Sequence, residues 1–176
     1  WVVDMSNNRV LGFPNAAAVN HNATATKVFG QSDFTATAAG STTAKLSHPG
    51  SVLTMPGGRL YVTDSYNNRV LVWHKPMGVA NGAAADEVLA AKDSWTDNAT
   101  THAGLSRCRL DEPSALAADG QGGLWITDVY NDRLLHFPQP GLELLQGGVD
   151  GFHPAGDGFL RALPDRLQAP RDFLGN

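Results

Sequence analysis

Short apolar segments separated by Gly, Pro and Asn run along the whole chain. In the middle of the chain this pattern predicts four strands: Ser51 to Met55, Leu60 to Asp64, Arg69 to His74 and Glu87 to Ala91. The second of these is rich in β-branched and aromatic residues, as strands are. Pro56-Gly57-Gly58 precedes it and supplies the positive φ angles of a tight hairpin. Ser65 to Asn68 predicts a second turn, because Asn tolerates the left-handed region.

The same pattern occurs three times. Residues 1–13 read WVVDMSNNRVLGF, residues 60–73 read LYVTDSYNNRVLVW, and residues 124–137 read LWITDVYNDRLLHF. The shared frame is an apolar pair, Asp, two variable residues, Asn, Asn or Asp, Arg, and a second apolar run. The signature residues singled out in these copies are Asp4, Arg9, Asp64, Asn68, Arg69, Asp128, Asp132 and Arg133. Self-similarity of this kind indicates a repeat architecture.

A second module recurs in phase with the first. It consists of Leu46-x-x-Pro49, Leu110-x-x-Pro113 and Leu167-x-x-Pro170. Each repeat then contains four short strands joined by hairpins, which predicts an all-β chain and a β-propeller segment of about three four-stranded blades. The predicted partial propeller spans residues 1–176, with blade A (incomplete) at 1–34, blade B at 46–95, blade C at 110–152 and the start of blade D at 167–176.

LYVTDSYNNRVLVW and its two copies resemble the NHL-repeat family of β-propeller proteins. VFGQSDF at residues 28–34 is similar to the GQPDF-type element of bacterial-style extended NHL repeats. The resemblance implies a ring that commonly has six blades. Since propellers close with about 4 to 8 blades, the chain is expected to be part of a longer polypeptide; the alternative is that copies of the chain complete one another.

The net charge and the length of the apolar runs limit the classes of partner that are expected. The formal net charge is −4, whereas a nucleic-acid partner requires a basic stripe, so neither DNA nor the RNA bound by some NHL proteins is expected. No apolar run approaches the ~18 residues of a membrane span. The partner classes that remain are proteins, further copies of the chain, and glycans.

Two sequons give the only positive indication of compartment. They begin at Asn22 and Asn98, and both lie in polar stretches that could carry a glycan. They favour an extracellular or secreted glycoprotein. Cys108 is the single cysteine, which is typical of a reducing compartment, so a cytoplasmic location is the alternative and the role of Cys108 stays open.

The signature residues allow two interpretations. In one, they form a repeated ligand or metal array. In the other, each Asp caps a turn and each Arg links adjacent blades. The second is favoured, because a catalytic residue need appear only once per ring whereas this motif appears in every copy. It is similar to a structural signature of NHL repeats.

Candidate catalytic groups are few. No two of the six histidines occupy equivalent repeat positions, and His48 beside Pro49 is the best single candidate for a group facing the central channel. No GxSxG elbow or closely spaced Cys/His cluster occurs. The sequence therefore predicts no catalytic residue, cofactor or metal. The alternative is part of a propeller lyase or hydrolase, which the resemblance would supply with a metal at the central channel.

Tyr66 and Tyr130 are the clearest interaction candidates, because both lie in the turn between the second and third strands of a blade. Tyrosine is enriched at protein interfaces. The loops between blades are expected on the same face, which adds Trp95, His102 and Phe152. The predicted function is a non-catalytic scaffold for protein or glycan interaction, or a structural subunit of an extracellular assembly.

Overall fold

The computed structural model describes residues 1–15, 20, 22–89 and 109–138. These residues form three antiparallel sheets, consistent with propeller blades, and contain no α-helix. The first sheet contains β1 (Val2–Asp4), β2 (Arg9–Gly12) and β3 (Lys27–Phe29). The central sheet contains β4 (Pro49–Thr54), β5 (Leu60–Asp64), β6 (Arg69–Trp73) and β7 (Glu87–Leu89). The third contains β8 (Pro113–Ala118), β9 (Leu124–Asp128) and β10 (Arg133–Phe137). Within these ranges, no helix is of a length and apolarity that would cross a membrane.

The four strands predicted for the middle of the chain form the central sheet in the order β4-β5-β6-β7. β5 has the predicted bounds, and β6 ends one residue early, at Trp73. β4 begins two residues early because Pro49 pairs with Asp64 before the register shifts at a bulge. The predicted end of β7, residues 90–91, lies outside the described residues.

A threonine hydroxyl stabilises the bulge at the start of the first strand. Thr63 Oγ1 accepts the backbone N–H groups of Gly50 and Ser51 at 3.1 and 2.7 Å. In the third sheet, Thr127 Oγ1 accepts the N–H of Ala115 at 2.8 Å next to an equivalent bulge. A bulge leaves ladder donors unpaired, and the hydroxyl satisfies them. The Thr before each of these two signature Asp residues therefore has a structural role.

Each signature turn is one turn of 3-10 helix between antiparallel strands. The turns span Met5–Asn7, Ser65–Asn67 and Val129–Asn131. The residue that follows each turn is left-handed, with φ of 52° at Asn8, 56° at Asn68 and 48° at Asp132. Asn and Asp are the non-glycine residues best suited to this region. The turn predicted at Ser65 to Asn68 is thus confirmed.

The sheets stack face to face, and the central sheet lies between the other two. Every residue of β5 and β6 is buried. The core between the first and central sheets is built around Val10, Phe29, Leu46, Leu60, Val62, Leu71, Trp73 and Ala85. The core between the central and third sheets is built around Met55, Tyr61, Val70, Val72, Leu110, Leu124 and Ile126. Burial on both faces explains why apolar residues are consecutive in β5 (Leu60 to Val62) and in β6 (Val70 to Trp73).

The segment VFGQSDF joins the first sheet to the loop that follows it. The ring of Phe29 lies between those of Trp1 and Trp73, with centroids 5.7 and 4.6 Å away. The buried Gln31 side chain donates to the carbonyls of Asn8 and Ala38 at 2.8 and 3.0 Å. This element therefore orders the chain between the first and central sheets.

Replacing Gly30 by Ala is expected to lower the free energy of unfolding by about 2–3 kcal/mol, because overpacking adds to the cost of a left-handed alanine. Gly30 has φ of +85°, and an added Cβ would lie 2.6 Å from Leu46 Cδ1 and 2.7 Å from the Asn8 carbonyl oxygen. Gly57 is a matched control, because its φ is +88° but no atom lies within 4 Å of an added Cβ. Urea unfolding of both variants checks the prediction. Equal losses would show that backbone strain alone matters at Gly30.

Candidate interaction face

The signature residues of the central repeat form one buried, fully hydrogen-bonded group. Asp64 and Arg69 have no exposed side-chain surface, and Arg69 Nε lies 2.8 Å from Asp64 Oδ2. Asn67 Nδ2 donates to the same carboxylate at 2.8 Å, and the backbone N–H of Ser47 donates to Oδ1 at 2.7 Å. Burial raises the pKa of Asp64, against the lowering effect of Arg69 and of these hydrogen bonds. The carboxylate is therefore held by several donors at once.

The turn-cap interpretation of the signature Asp is wrong. The Asp64 side chain makes no hydrogen bond to the backbone of the following turn. It accepts instead from the side chains of Asn67 and Arg69 across the hairpin and from Ser47 before β4. The physical reason is that both carboxylate oxygens already accept from these three donors, which include the cation of Arg69.

The signature Arg ties its hairpin to the segment that enters the sheet. Arg69 Nη2 donates to the carbonyls of Thr42 and Lys45 at 2.9 and 3.4 Å. Arg133 Nη2 donates to the carbonyl of Arg109 at 2.7 Å. Each guanidinium thus donates to an internal carboxylate through Nε and to an internal backbone carbonyl through Nη2. This geometry gives the motif a structural role in each of the two repeats.

Adjacent sheets are joined by a recurring hydrogen bond, which we name the latch. The left-handed Asn that ends one turn accepts the N–H of the residue before Pro in the next repeat. Asn8 Oδ1 accepts from His48 N, and Asn68 Oδ1 accepts from Glu112 N, both at 2.9 Å. His48 and Glu112 are themselves left-handed, with φ of 49° and 48°. The latch explains why these non-glycine residues adopt a conformation that costs energy.

The latches bring the turns of neighbouring sheets together on one side of the stack. We call this side the turn face; it comprises the three 3-10 turns with residues 46–48 and 110–112. Its contacts include Ser65 Oγ donating to the Pro113 carbonyl at 2.6 Å. The turns are also fixed to their own sheets, because Tyr66 N donates to the Ser47 carbonyl at 3.1 Å. The turn face is therefore a surface of short hairpins joined to one another and to their sheets by hydrogen bonds.

Large apolar side chains project from the turn face. Tyr66 and Tyr130 are 53% and 63% exposed, as expected of candidates for an interface. The imidazole of His48 stacks on the Tyr66 ring at 4.2 Å, so His48 lies on this face. Met5 and Val129 are also exposed here. Neither of these last two residues was predicted to lie at the interface, although both occupy the position that Ser65 has in the central repeat.

Several predicted residues lie outside the described part of the chain. They are Trp95, Asn98, His102, Cys108, Phe152 and the start of blade D at residues 167–176. Asn22 is described and exposed. Its glycosylation stays a prediction.

Two further polar groups lie away from the turn face. His136 Nε2 is 2.8 Å from Asp119 Oδ2 and its ring stacks on Trp125, and this hydrogen bond lowers the pKa of Asp119. Glu87 contacts both His74 and Arg59. Among the described residues, no three His, Cys, Asp or Glu side chains are grouped so that they could hold a metal ion.

The profile of the NHL repeat matches residues 46–73. The match begins at Leu46 and ends at Trp73, so it covers the entry segment, the bulge, the hairpin and the buried Asp64–Arg69 pair of the central sheet. No curated protein matches the chain. The resemblance found in the sequence is thereby confirmed over its central copy, and the chain carries an NHL repeat.

Proposed function

We propose that the chain is a non-catalytic interaction scaffold that binds a protein partner through the turn face. NHL repeats commonly form propeller domains that mediate protein interactions, and this supports the class of function. The observation that carries the proposal is the pair of exposed tyrosines on turns whose backbones are hydrogen-bonded to the sheets. A rigid aromatic side chain loses little conformational entropy when it binds, which makes it a good anchor.

We further propose that the three sheets are blades A, B and C of a six-bladed ring, with blade D starting at residues 167–176. Trp95, His102 and Phe152 extend the turn face from the loops between blades. The location is extracellular, and Asn22 and Asn98 carry glycans. The exposure of Asn22 supports the first of these two glycan sites.

The polar signature groups support a scaffold over an enzyme. Asp64 and Arg69 are fully buried and bonded to each other and to the backbone. Asp128 and Arg133 repeat the arrangement with the N–H of Asp111 and the carbonyl of Arg109. These charges stabilise the repeats and are not presented to a substrate.

A double variant, Tyr66→Ala with Tyr130→Ala, tests the proposal. Partners captured by the immobilised parent chain are purified and titrated against both proteins. The double variant is expected to bind at least about 30-fold more weakly, because the loss of even one hot-spot anchor of about 2 kcal/mol weakens binding by that factor. Its thermal midpoint should stay within a few degrees of the parent, since surface substitutions cost about 0.5 kcal/mol or less.

Met77→Ala is the matched control, because Met77 is similarly exposed but lies in the loop after β6. It should bind like the parent. Partners captured equally by the parent and the double variant would show that binding occurs elsewhere. Comparing the oligomeric states of the parent and the double variant by analytical ultracentrifugation tests in the same way whether the turn face binds a second copy of the chain.

A further inference from the structure

Glu112 lies between the two turns that carry the exposed tyrosines of the turn face. Its backbone segment is hydrogen-bonded to both of them. Glu112 N donates at 2.9 Å to the side chain of Asn68, which ends the turn that carries Tyr66. The carbonyl of the preceding residue, Asp111, accepts the N–H of Tyr130 at 3.3 Å. The segment around Glu112 is therefore held at the junction of the two turns.

The backbone of Glu112 is left-handed, which does not suit its residue type. Outside glycine, this region favours Asn, Asp and His, and it costs energy for other side chains. The left-handed non-glycine residues of the described part of the chain are Asn8, His48, Asn68, Glu112 and Asp132. Glu112 alone among these five is of an unfavoured type. Strain of this kind collects at functional sites, where the surrounding structure holds it in place.

The carboxylate of Glu112 has no partner among the described residues. It is partly exposed, and neither a hydrogen bond nor an ion pair to it is formed there. The cations of the flanking turns pair with their own aspartates instead. Arg69 lies 2.8 Å from Asp64, and Arg133 lies 2.6 Å from Asp128. A negative charge is thus held at the junction of the turns without a cation of its own.

The equivalent residue of the central repeat is His48, which has a different role. Its imidazole stacks on the Tyr66 ring and so occupies one side of that ring from within the molecule. A carboxylate cannot stack in this way. Tyr130 is the more exposed of the two tyrosines, and Asp132, two residues further on, adds a second exposed negative charge. The Tyr130 side of the turn face therefore combines an aromatic ring with unpaired carboxylates.

Arginine is the side chain that suits a tyrosine ring next to a carboxylate. Its guanidinium stacks on aromatic rings and donates two parallel hydrogen bonds to a carboxylate, whereas a lysine ammonium acts as a point charge. We propose that the protein segment bound by the turn face carries an arginine that pairs with Glu112 and stacks on Tyr130. This inference rests on the proposed function, because it names the chemistry of the partner of the same surface.

Selection of displayed peptides tests the inference without a known partner. A library of random seven-residue peptides is selected against the immobilised parent chain and against the variant Glu112→Lys. Peptides enriched on the parent are expected to share an arginine, and replacing that arginine by lysine should weaken their binding. Peptides enriched on Glu112→Lys should lack the shared arginine, because like charges oppose binding.

Two further variants separate the charge from the fold. Glu112→Gln should bind the enriched arginine peptide at least about tenfold more weakly, because a charge-assisted hydrogen bond is lost. Glu112→Gly should bind it as weakly but have a thermal midpoint no lower than that of the parent. Glycine adopts the left-handed backbone without strain and keeps the N–H that donates to Asn68.

Asp86→Asn is the matched control. Asp86 is an exposed carboxylate that accepts the N–H of His74, the residue after β6 at the end of that strand opposite the turn. Asparagine keeps an oxygen that can accept this N–H, so the variant loses one charge away from the turn face. It should bind the arginine peptide as tightly as the parent does.

Three results would overturn the inference. They are the absence of any enriched peptide, enriched peptides that are acidic or apolar and share no arginine, and equal binding of an arginine peptide to the parent and Glu112→Gln. Titration against Tyr66→Ala with Tyr130→Ala distinguishes this failure from failure of the proposed function. Peptides without arginine that lose binding to the double variant would keep the turn face as the binding surface. Peptides that bind the double variant as tightly as the parent would overturn both proposals.

Discussion

Replacing Arg69 by Met is expected to lower the free energy of unfolding by about 3–5 kcal/mol, because it leaves the Asp64 carboxylate buried without its cation. Both side chains are fully buried in the parent. Met fills much of the same volume, so the loss reports the charge and hydrogen bonds rather than a cavity. For a chain of this size the thermal midpoint should fall by about 10 °C. Thermal and urea unfolding followed by circular dichroism measure both quantities.

The loss should be larger at pH 7 than at acidic pH. Burial already raises the pKa of Asp64 above its ordinary value of 3.8, and removing Arg69 raises this pKa further. A carboxyl with a raised folded pKa binds more protons in the folded state than in the unfolded state, so acidification favours folding of the variant. The difference in stability between parent and variant should therefore narrow as the pH falls from 7 through the raised pKa.

Two companion variants separate charge from packing. Arg9→Met changes the same motif where the pair is partly exposed, and it should cost about 1 kcal/mol. Arg69→Met with Asp64→Asn removes both charges and should recover part of the loss, as expected for a coupled buried pair. Equal losses at Arg69 and Arg9 would contradict the role assigned to burial.

Replacing Trp73 by Ala is expected to cost about 3–5 kcal/mol, as large-to-small changes in a core do. Trp73 packs against Phe29 with ring centroids 4.6 Å apart and is almost completely buried between the first and central sheets. Its indole Nε1 donates to the Ala83 carbonyl at 3.0 Å, so the loop before β7 loses a bond as well. Urea unfolding followed by far-UV circular dichroism measures the loss.

Trp73→Phe is the conservative comparison. It keeps an aromatic ring against Phe29 but loses the hydrogen bond to the Ala83 carbonyl. Its free energy of unfolding should therefore lie between those of the parent and the alanine variant. Met77→Ala, on the exposed loop after β6, should change stability by about 0.5 kcal/mol or less. A loss at Trp73 no larger than that at Met77 would show that the two sheets do not share this core.

The repeat and its strands could be predicted from local sequence because their causes are local. Leu60 to Asp64 is a run of β-branched and aromatic residues, and Asn68 suits the left-handed position that ends the turn. The exposure of Tyr66 and Tyr130 could also be predicted locally, because both lie in a hairpin turn. The start of β4 at Pro49 could not, because it depends on pairing with Asp64 across a bulge.

By itself, the sequence determined the all-β class, the repeated hairpin and the NHL resemblance, since spacing and turn chemistry need no distant partner. Only the tertiary structure decided which copies are buried. Asp64–Arg69 and Asp4–Arg9 share one motif, yet the first pair is enclosed by sheets on both sides and the second is partly exposed. The latches from Asn8 to His48 and from Asn68 to Glu112 join residues about 40 positions apart. Contacts at that separation depend on how the sheets stack, because burial and hydrogen-bond partners are properties of the packed chain.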